Sequence, residues 1–210
     1  MQSVRFFNAH KMAKKAEVPE PDSPHQWTPN NLRRSVSRLP GLPRPQSPFV
    51  RSSTDTGVPA DEILIFICLC AKYYGTKISE NPNGGSIINI SSDLGLIGPD
   101  QRLYRKEGLE DKQQPVKPVT YPVVKAGLIG LTRYLATYWA EQNVRCNAIC
   151  PGGVETQQPP EFLKEVSSRV PMNRLAQIDE YQGVLVWMLS GAASYLNGAI
   201  IPIDGGRTAW

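Results

Sequence analysis

The sequence contains few residues that bind metals or form disulfides. Among 210 residues there are four cysteines and two histidines. The cysteines lie in two apolar runs, ILIFICLCA and VRCNAIC, where a free thiol behaves as a small hydrophobic group. Neither spacing matches the paired turns of a zinc site. We therefore predict no metal site, and a reducing, cytoplasmic location.

Long hydrophobic runs are also absent. The longest spans Ile63 to Ala71, which is too short to cross a bilayer, and the N-terminus lacks the apolar core of a secretory signal. These absences favour a chain with no membrane partner.

Acidic residues are scarce in one region only, residues 1–60, which hold nine lysines and arginines against four acids and nine of the 19 prolines. No aromatic residues alternate with these charges in a pattern for stacking on bases, so we predict no nucleic-acid partner. Because apolar periodicity is also missing, we expect residues 1–60 to be an irregular or disordered basic segment.

Residues 61–210 show the alternation of helices and strands that is typical of an α/β fold with a parallel sheet and helices on both faces. The first predicted helix is apolar on most sides, which indicates burial, and Thr120 is a plausible cap for the second. The predicted helices are Asp61–Ser79, Tyr121–Gln142, Pro159–Ser168 and Asp179–Leu189, the strands are Ser86–Ile90, Asn143–Cys150 and Ala199–Ile203, and Gly98–Pro118 is a polar loop.

Two residues on the second predicted helix have the spacing of an acid–base pair. Tyr121 and Lys125 are four residues apart and so share a helix face. A nearby ammonium can lower the pKa of a tyrosine enough for proton transfer to a carbonyl oxygen. Ser91 and Ser92 follow the first strand, at the edge where open α/β sheets bind ligands.

Four blocks in one order carry a family resemblance: GGSIINISSDLG, YPVVKAGLIGLTRYLA, NVRCNAICPGGVET and YLNGAIIPIDGG. Together they resemble the C-terminal catalytic half of the short-chain dehydrogenase/reductases, over residues 64–210. The resemblance implies a Rossmann-type sheet over 61–210. It also implies an NAD- or NADP-dependent oxidoreductase that interconverts a small-molecule alcohol and carbonyl.

The same resemblance assigns roles to individual residues. It implies Tyr121 as acid/base, Lys125 as the residue that lowers the tyrosine pKa and binds the ribose, and Ser92 as the donor that orients the substrate. The remaining cofactor-binding positions that it implies are Asn89 and Ile90 beside the ribose, and Pro151, Gly152, Val154 and Thr156 at the nicotinamide end.

The segment between Ser92 and Tyr121 is longer than usual for the family. Tyr104 lies nearer to Ser92, but Gly108 rather than lysine stands four residues after it, so we reject Tyr104 as the catalytic tyrosine. The additional residues form a polar loop over the predicted substrate pocket, which suggests a hydroxyl-rich substrate such as a sugar or sugar acid.

The N-terminal half of the Rossmann-type unit is incomplete. A Thr-Gly-x-x-x-Gly-x-Gly turn for the cofactor pyrophosphate and an Asn-Asn-Ala-Gly block are both missing, and Ile63 stands where the family usually has a catalytic asparagine. An alternative is therefore a truncated, inactive remnant that acts as an oligomerisation protein. Four residues of the second helix either form an association surface or simply pack in the core: Leu131, Tyr134, Leu135 and Tyr138. A nucleotide-sugar epimerase is a third, weaker option.

Overall fold

The computed structural model describes residues 60–210, with side chains from residue 63 onward. The irregular segment predicted over 1–60 lies outside the described residues, apart from its last position. In chain order the elements are α1 (Ala60–Ser79), β1 (Gly85–Ile90), α2 (Thr120–Tyr138), β2 (Val144–Pro151), α3 (Pro160–Ser167), α4 (Gln182–Leu189) and β3 (Ile200–Ile203).

The three strands form one parallel sheet in the order β1-β2-β3. Gly85–Ile90 pair with Val144–Ile149, and Ala148–Pro151 pair with Ile200–Ile203. The carboxyl ends of β1 and β2 therefore meet at one edge of the sheet, where ligands bind in open α/β folds. The predicted parallel sheet is confirmed.

Successive side chains of each strand point to opposite faces, and both faces are covered by helices. On one face, Ile87 and Cys146 pack with Leu135 of α2. On the other, Ile88 and Ile149 pack with Met188 of α4. Helices on both faces of the sheet are thus confirmed, and the near-continuous apolar runs of β1 and β2 are explained.

The cysteines are free thiols, and Cys70, Cys146 and Cys150 are buried. Burial raises the pKa of Cys146 to about 12, so its thiol remains neutral in the core. These side chains pack as small hydrophobic groups, as the sequence indicates.

Helix α1 is less buried than its composition predicts. Gly75 contacts the indole of Trp139 so closely that a Cβ there would lie 2.0 Å from a ring carbon. The opposite side of the helix is open, since Leu69 is 41% exposed and Tyr73 is 53% exposed. Within the described residues, the sheet and α2 cover α1 on one side only. The expectation of burial on most sides is therefore wrong.

Two boundaries of α2 also differ from expectation. Thr120 is the first helical residue rather than a side-chain cap, and its buried hydroxyl has no hydrogen-bond partner. The helix ends at Tyr138 instead of Gln142, because the backbone of Trp139 leaves the helical conformation, with φ −112° and ψ 19°, and the chain continues in turns to Asn143. Leu135 packs in the core and does not belong to an exposed association surface.

Segment 98–118 connects β1 to α2 and is irregular except for two short 3₁₀ turns, Gln101–Tyr104 and Asp111–Gln113. Asp100 attaches this segment to the end of α3 through the Arg169 guanidinium, at 2.7 Å. The Gln114 side chain bonds the backbone of Lys106 and Leu109. The predicted polar loop is thus held by side-chain contacts rather than by regular structure.

Candidate active site

Ser92 lies immediately after β1, in a buried turn. Its hydroxyl donates to Asp93 Oδ1 at 2.8 Å and accepts from the Leu94 amide at 3.2 Å. This second bond caps the short 3₁₀ turn Asp93–Gly95. The β1 strand and the capped turn together determine where the serine hydroxyl lies.

Two hydrogen bonds tie the end of β1 to the beginning of α2. The Ser91 hydroxyl donates to the Lys125 carbonyl at 2.7 Å, and the Lys125 ammonium donates to the Ile90 carbonyl at 3.0 Å. Gly95 is required at this crossing, because a Cβ there would lie 2.9 Å from the Lys125 carbonyl carbon. The strand end that carries Ser92 therefore packs directly on the helix turn that carries Tyr121 and Lys125.

Two ammonium groups flank the Tyr121 ring. Lys125 Nζ lies 5.7 Å from the ring centroid, one helical turn away, and Lys117 Nζ lies 4.3 Å from it. Burial lowers the pKa of the Lys125 ammonium. Both ammonium groups lie within cation–π distance of the ring. Sequence reasoning identified Lys125 by its spacing but missed Lys117, which precedes the helix.

Tyr104 also lies close to this group of residues. It is half-buried, burial raises the pKa of its phenol, and it interacts electrostatically with Arg207, Asp93 and Tyr121. A tyrosine rejected on sequence grounds is therefore a neighbour of the predicted acid/base. Its position comes from the irregular segment, which no periodic pattern could reveal.

Asn89 and Ile90 occupy the last two positions of β1. The Asn89 amide is buried and donates to the Thr132 hydroxyl on α2 at 2.8 Å. Ile90 is partly exposed, and its carbonyl accepts the Lys125 bond. Because the Asn89 side chain faces α2, a contact between this residue and a cofactor ribose would have to come from its backbone.

The end of β2 forms a tight junction with the end of β3. The Gly152 amide donates to the Ile203 carbonyl at 2.9 Å. A Cβ at Gly152 would lie 2.8 Å from the Asp204 Cα, so glycine is needed for this approach. Pro151, which ends β2, pairs with Ile203 in the sheet.

Val154 and Thr156 continue from that junction. Val154 pairs with Ala176 in an isolated parallel bridge, whose hydrogen bonds involve the Gly153 carbonyl and the Glu155 amide. The Val154 N–H consequently points away from Ala176. Gln158 braces this turn, since its side chain bonds the Val154 carbonyl at 2.8 Å and the Thr156 amide at 2.7 Å.

These residues fit one half of a nicotinamide cofactor. The Lys125 ammonium could donate to ribose hydroxyls, and the Val154 N–H, which points away from Ala176, could donate to a carboxamide oxygen. The sequence supplies no glycine-rich turn for the pyrophosphate. The donor set thus matches the nicotinamide and its ribose.

A buried ion pair that sequence reasoning missed adjoins the serine. Arg207 Nη1 lies 2.9 Å from Asp93 Oδ2, and the two side chains are 11% and 5% exposed. Asp93 could have been noticed because it follows the Ser-Ser pair directly. Arg207 is 114 residues away and gives no sequence signal of its own.

Within residues 60–210, no three His, Cys, Asp or Glu side chains are clustered closely enough to hold a metal ion. None of the helices in that range is both long and apolar enough to cross a membrane.

Known proteins with similar sequences match the part of the chain that contains these residues. The family model described as enoyl-(acyl carrier protein) reductase matches residues 67–208. The chain is 30% identical over 174 residues to cis-4-hydroxycyclohexanecarboxylate dehydrogenase of Sinomonas cyclohexanicum, covering 80% of this chain and 63% of that protein. It is 32% identical over 133 residues to 2-dehydro-3-deoxy-D-gluconate 5-dehydrogenase of Escherichia coli, covering 60% and 46% respectively.

The fold is also similar to that of a solved dehydrogenase structure. A short chain dehydrogenase from Leptospira borgpetersenii with bound NAD+ superimposes with a TM-score of 0.62 at 28% identity, covering 74% of this chain and 57% of that one. The chain thus spans about half to two thirds of the length of these three proteins.

Proposed function

The chain belongs to the short-chain dehydrogenase/reductase family, and on that premise we propose that it is an NAD(P)-dependent oxidoreductase that interconverts an alcohol and a carbonyl. The observation that supports this most directly is the pair of hydrogen bonds between the end of β1 and Lys125. They bring the turn of Ser92 against the helix turn of Tyr121 and Lys125.

In the proposed reaction a bound nicotinamide cofactor supplies or accepts the hydride. The Tyr121 hydroxyl gives its proton to the carbonyl oxygen during reduction and takes it back during oxidation. The Lys125 ammonium stabilises the phenolate between these steps. Ser92 bonds the same substrate oxygen and orients it.

We propose a hydroxylated carboxylic acid, such as a sugar acid, as the substrate class. The two relatives are named for substrates that carry both hydroxyl and carboxylate groups. In this chain, Lys117 brings a second ammonium to within 4.3 Å of the Tyr121 ring centroid. A cation at that distance favours an anionic substrate group beside the reacting carbon.

We also propose that the protein forms homo-oligomers through the exposed side of α1 and α2. Tyr134 and Tyr138 are 60% and 61% exposed and stack with their ring centroids 5.5 Å apart. Leu69, Tyr73 and Val123 are further exposed apolar residues on these two helices. The same surface is what a catalytically inactive interaction protein would use, so association alone does not distinguish the two functions.

A titration with NADH and NADPH, followed by nucleotide fluorescence, tests the proposed enzyme. We expect saturable binding below millimolar concentration, and weaker binding by Lys125→Met. Exposed Lys72→Met is a control for the same change elsewhere on the surface. Absence of saturable binding would contradict the proposed oxidoreductase function and would leave the inactive interaction protein as the remaining function.

A second assay tests the substrate class. Hydroxy acids and the corresponding uncharged polyols would be compared as substrates, with formation of reduced nicotinamide as the readout. We expect higher kcat/KM for the acids, and a loss of that preference in Lys117→Met. Equal kcat/KM for acids and polyols would contradict an anionic substrate.

A further inference from the structure

A continuous hydrogen-bonded chain links Ser92 to the C-terminal segment. The Ser92 hydroxyl donates to Asp93 Oδ1 at 2.8 Å, and Asp93 Oδ2 accepts from Arg207 Nη1 at 2.9 Å. The Leu94 amide is a third donor to the Asp93 carboxylate and bonds Oδ1 at 2.7 Å. All three side chains are largely removed from water.

Arg207 supplies the positive charge that compensates Asp93. Tyr104, Tyr181 and Cys150 also interact electrostatically with Asp93. Burial raises the pKa of each of them, so they are neutral near pH 7 and contribute no cation. A buried carboxylate without a cationic partner is strongly disfavoured, and Arg207 is the partner here.

The backbone places Arg207 through a specific turn. Asp204 accepts hydrogen bonds from the amides of Gly206 and Thr208, at 3.0 and 2.8 Å. Gly205 and Gly206 both have positive φ angles, 65° and 88°, which other residues rarely adopt. The Asp-Gly-Gly sequence therefore directs the Arg207 side chain back towards the end of β1.

The hydrogen bond from Ser92 to Asp93 affects whether Ser92 can donate to a substrate. Its single proton is held by Asp93, yet orienting a substrate carbonyl requires that proton to be donated to the substrate oxygen. An uncompensated carboxylate would hold the proton more tightly than one that shares its charge with a guanidinium. The strength of the Arg207–Asp93 contact therefore controls whether Ser92 can exchange partners.

We propose that Arg207 is a positioning residue that acts on Ser92 through Asp93. It fixes the orientation of the carboxylate and weakens its hold on the serine proton, so that Ser92 can donate to the substrate oxygen. This inference rests on the proposed oxidoreductase function and extends it to the C-terminal segment.

The test compares Arg207→Met and Arg207→Lys, each with and without Ser92→Ala. We expect Arg207→Met to lower kcat by about tenfold or more while the Kd for the nicotinamide cofactor is unchanged, since tenfold corresponds to one hydrogen bond's differential contribution. Arg207→Lys should restore most of kcat. In the Ser92→Ala background, Arg207→Met should have no further effect on kcat.

A purely structural Arg207 would give a different pattern. It would lower stability and kcat equally in both backgrounds, and that result would overturn the inference. If Arg207→Met does not fold, Arg207→Gln, which also lacks the positive charge but keeps a polar side chain, is compared with and without Ser92→Ala in its place.

A second readout separates this inference from the enzyme proposal. Amide hydrogen exchange at Leu94 reports the Ser92–Asp93 turn directly, since this amide donates to both side chains. We expect faster exchange at Leu94 in Arg207→Met, with exchange at the sheet amide of Ala148 unchanged. If the wild-type chain lacks activity, the oxidoreductase proposal fails. Independently of that result, an unchanged exchange rate at Leu94 in Arg207→Met would overturn the positioning role of Arg207.

Discussion

The predicted active centre and segment 98–118 lie next to each other but are stabilised in different ways. At the centre, Asn89, Ser91 and Ser92 are buried and bonded to backbone or to buried partners on α2 and in the following turn. In segment 98–118 most side chains are exposed, and a few polar contacts determine its course. Burial makes each contact at the centre costly to break, whereas water can replace those of the segment.

The difference in burial between the active centre and segment 98–118 implies that the two regions have separate functions. Groups that transfer a proton must be placed with little freedom, and a sheet end packed on a helix provides this. A segment held by exposed polar contacts can be altered with little effect on the rest of the fold. We therefore expect chemistry to depend on the centre, and access or preference to depend on the segment.

The largest predicted effect is on kcat/KM, and it is measured by changing one tyrosine at the active centre and one in segment 98–118. Tyr121→Phe should lower kcat/KM by about 10² to 10⁴, because it removes the proposed proton donor. Tyr104→Phe, the same change on the segment, should lower it by less than about tenfold. Steady-state kinetics with matched cofactor-binding measurements checks this, and similar losses in the two variants would remove the distinction between the regions.

A smaller effect is predicted on stability at the centre. Thr132→Val should reduce the free energy of unfolding by about 1–3 kcal/mol, because it leaves the buried Asn89 amide with only the weak Cys146 Sγ acceptor at 3.7 Å. Thr137→Val, an exposed threonine on the same helix, should change it by less than about 0.5 kcal/mol. Urea denaturation of both variants measures the difference. Equal changes would show that the Asn89–Thr132 bond contributes nothing beyond helix propensity.

The sequence predicts features that depend on local patterns better than contacts between distant segments. The strands and the Tyr121–Lys125 spacing depend on local periodicity, so they were predicted within a residue or two. The Asp93–Arg207 pair and the Lys117 contact depend on how distant segments meet, and no local pattern encodes that. For Leu135 the sequence leaves an exposed surface and core packing equally open, because spacing alone does not show which helix side the sheet covers.

The next prediction concerns the attachment of the segment. The Arg102 and Arg169 guanidiniums hold the pKa of the Asp100 carboxyl well below its usual range. Asp100→Asn should loosen segment 98–118 and raise its rate of tryptic cleavage several-fold. The free energy of unfolding should change by less than about 1 kcal/mol, because water still reaches both partners and screens the pair. Glu107→Gln makes the same charge change on this segment, and equally fast cleavage there would contradict a specific role for Asp100.

The smallest predicted effect lies in an exposed turn that carries Ala176, the partner of Val154. Arg174 binds Glu180 through both carboxylate oxygens, at 2.6 and 2.7 Å, and lowers the pKa of Glu180 to about 2. A carboxyl whose pKa is lower in the folded state stabilises the fold above its unfolded value of 4.5, and this contribution is lost as pH falls towards 2.

The measurement is the Tm of wild type and Glu180→Gln as a function of pH. The wild-type advantage should be small above pH 4.5 and should disappear by about pH 2, since glutamine does not titrate there. Glutamine can still accept the Gln177 amide bond that Glu180 accepts at 2.8 Å. A pH-independent difference in Tm would therefore mean that side-chain geometry, rather than the charge of the carboxylate, supports this turn.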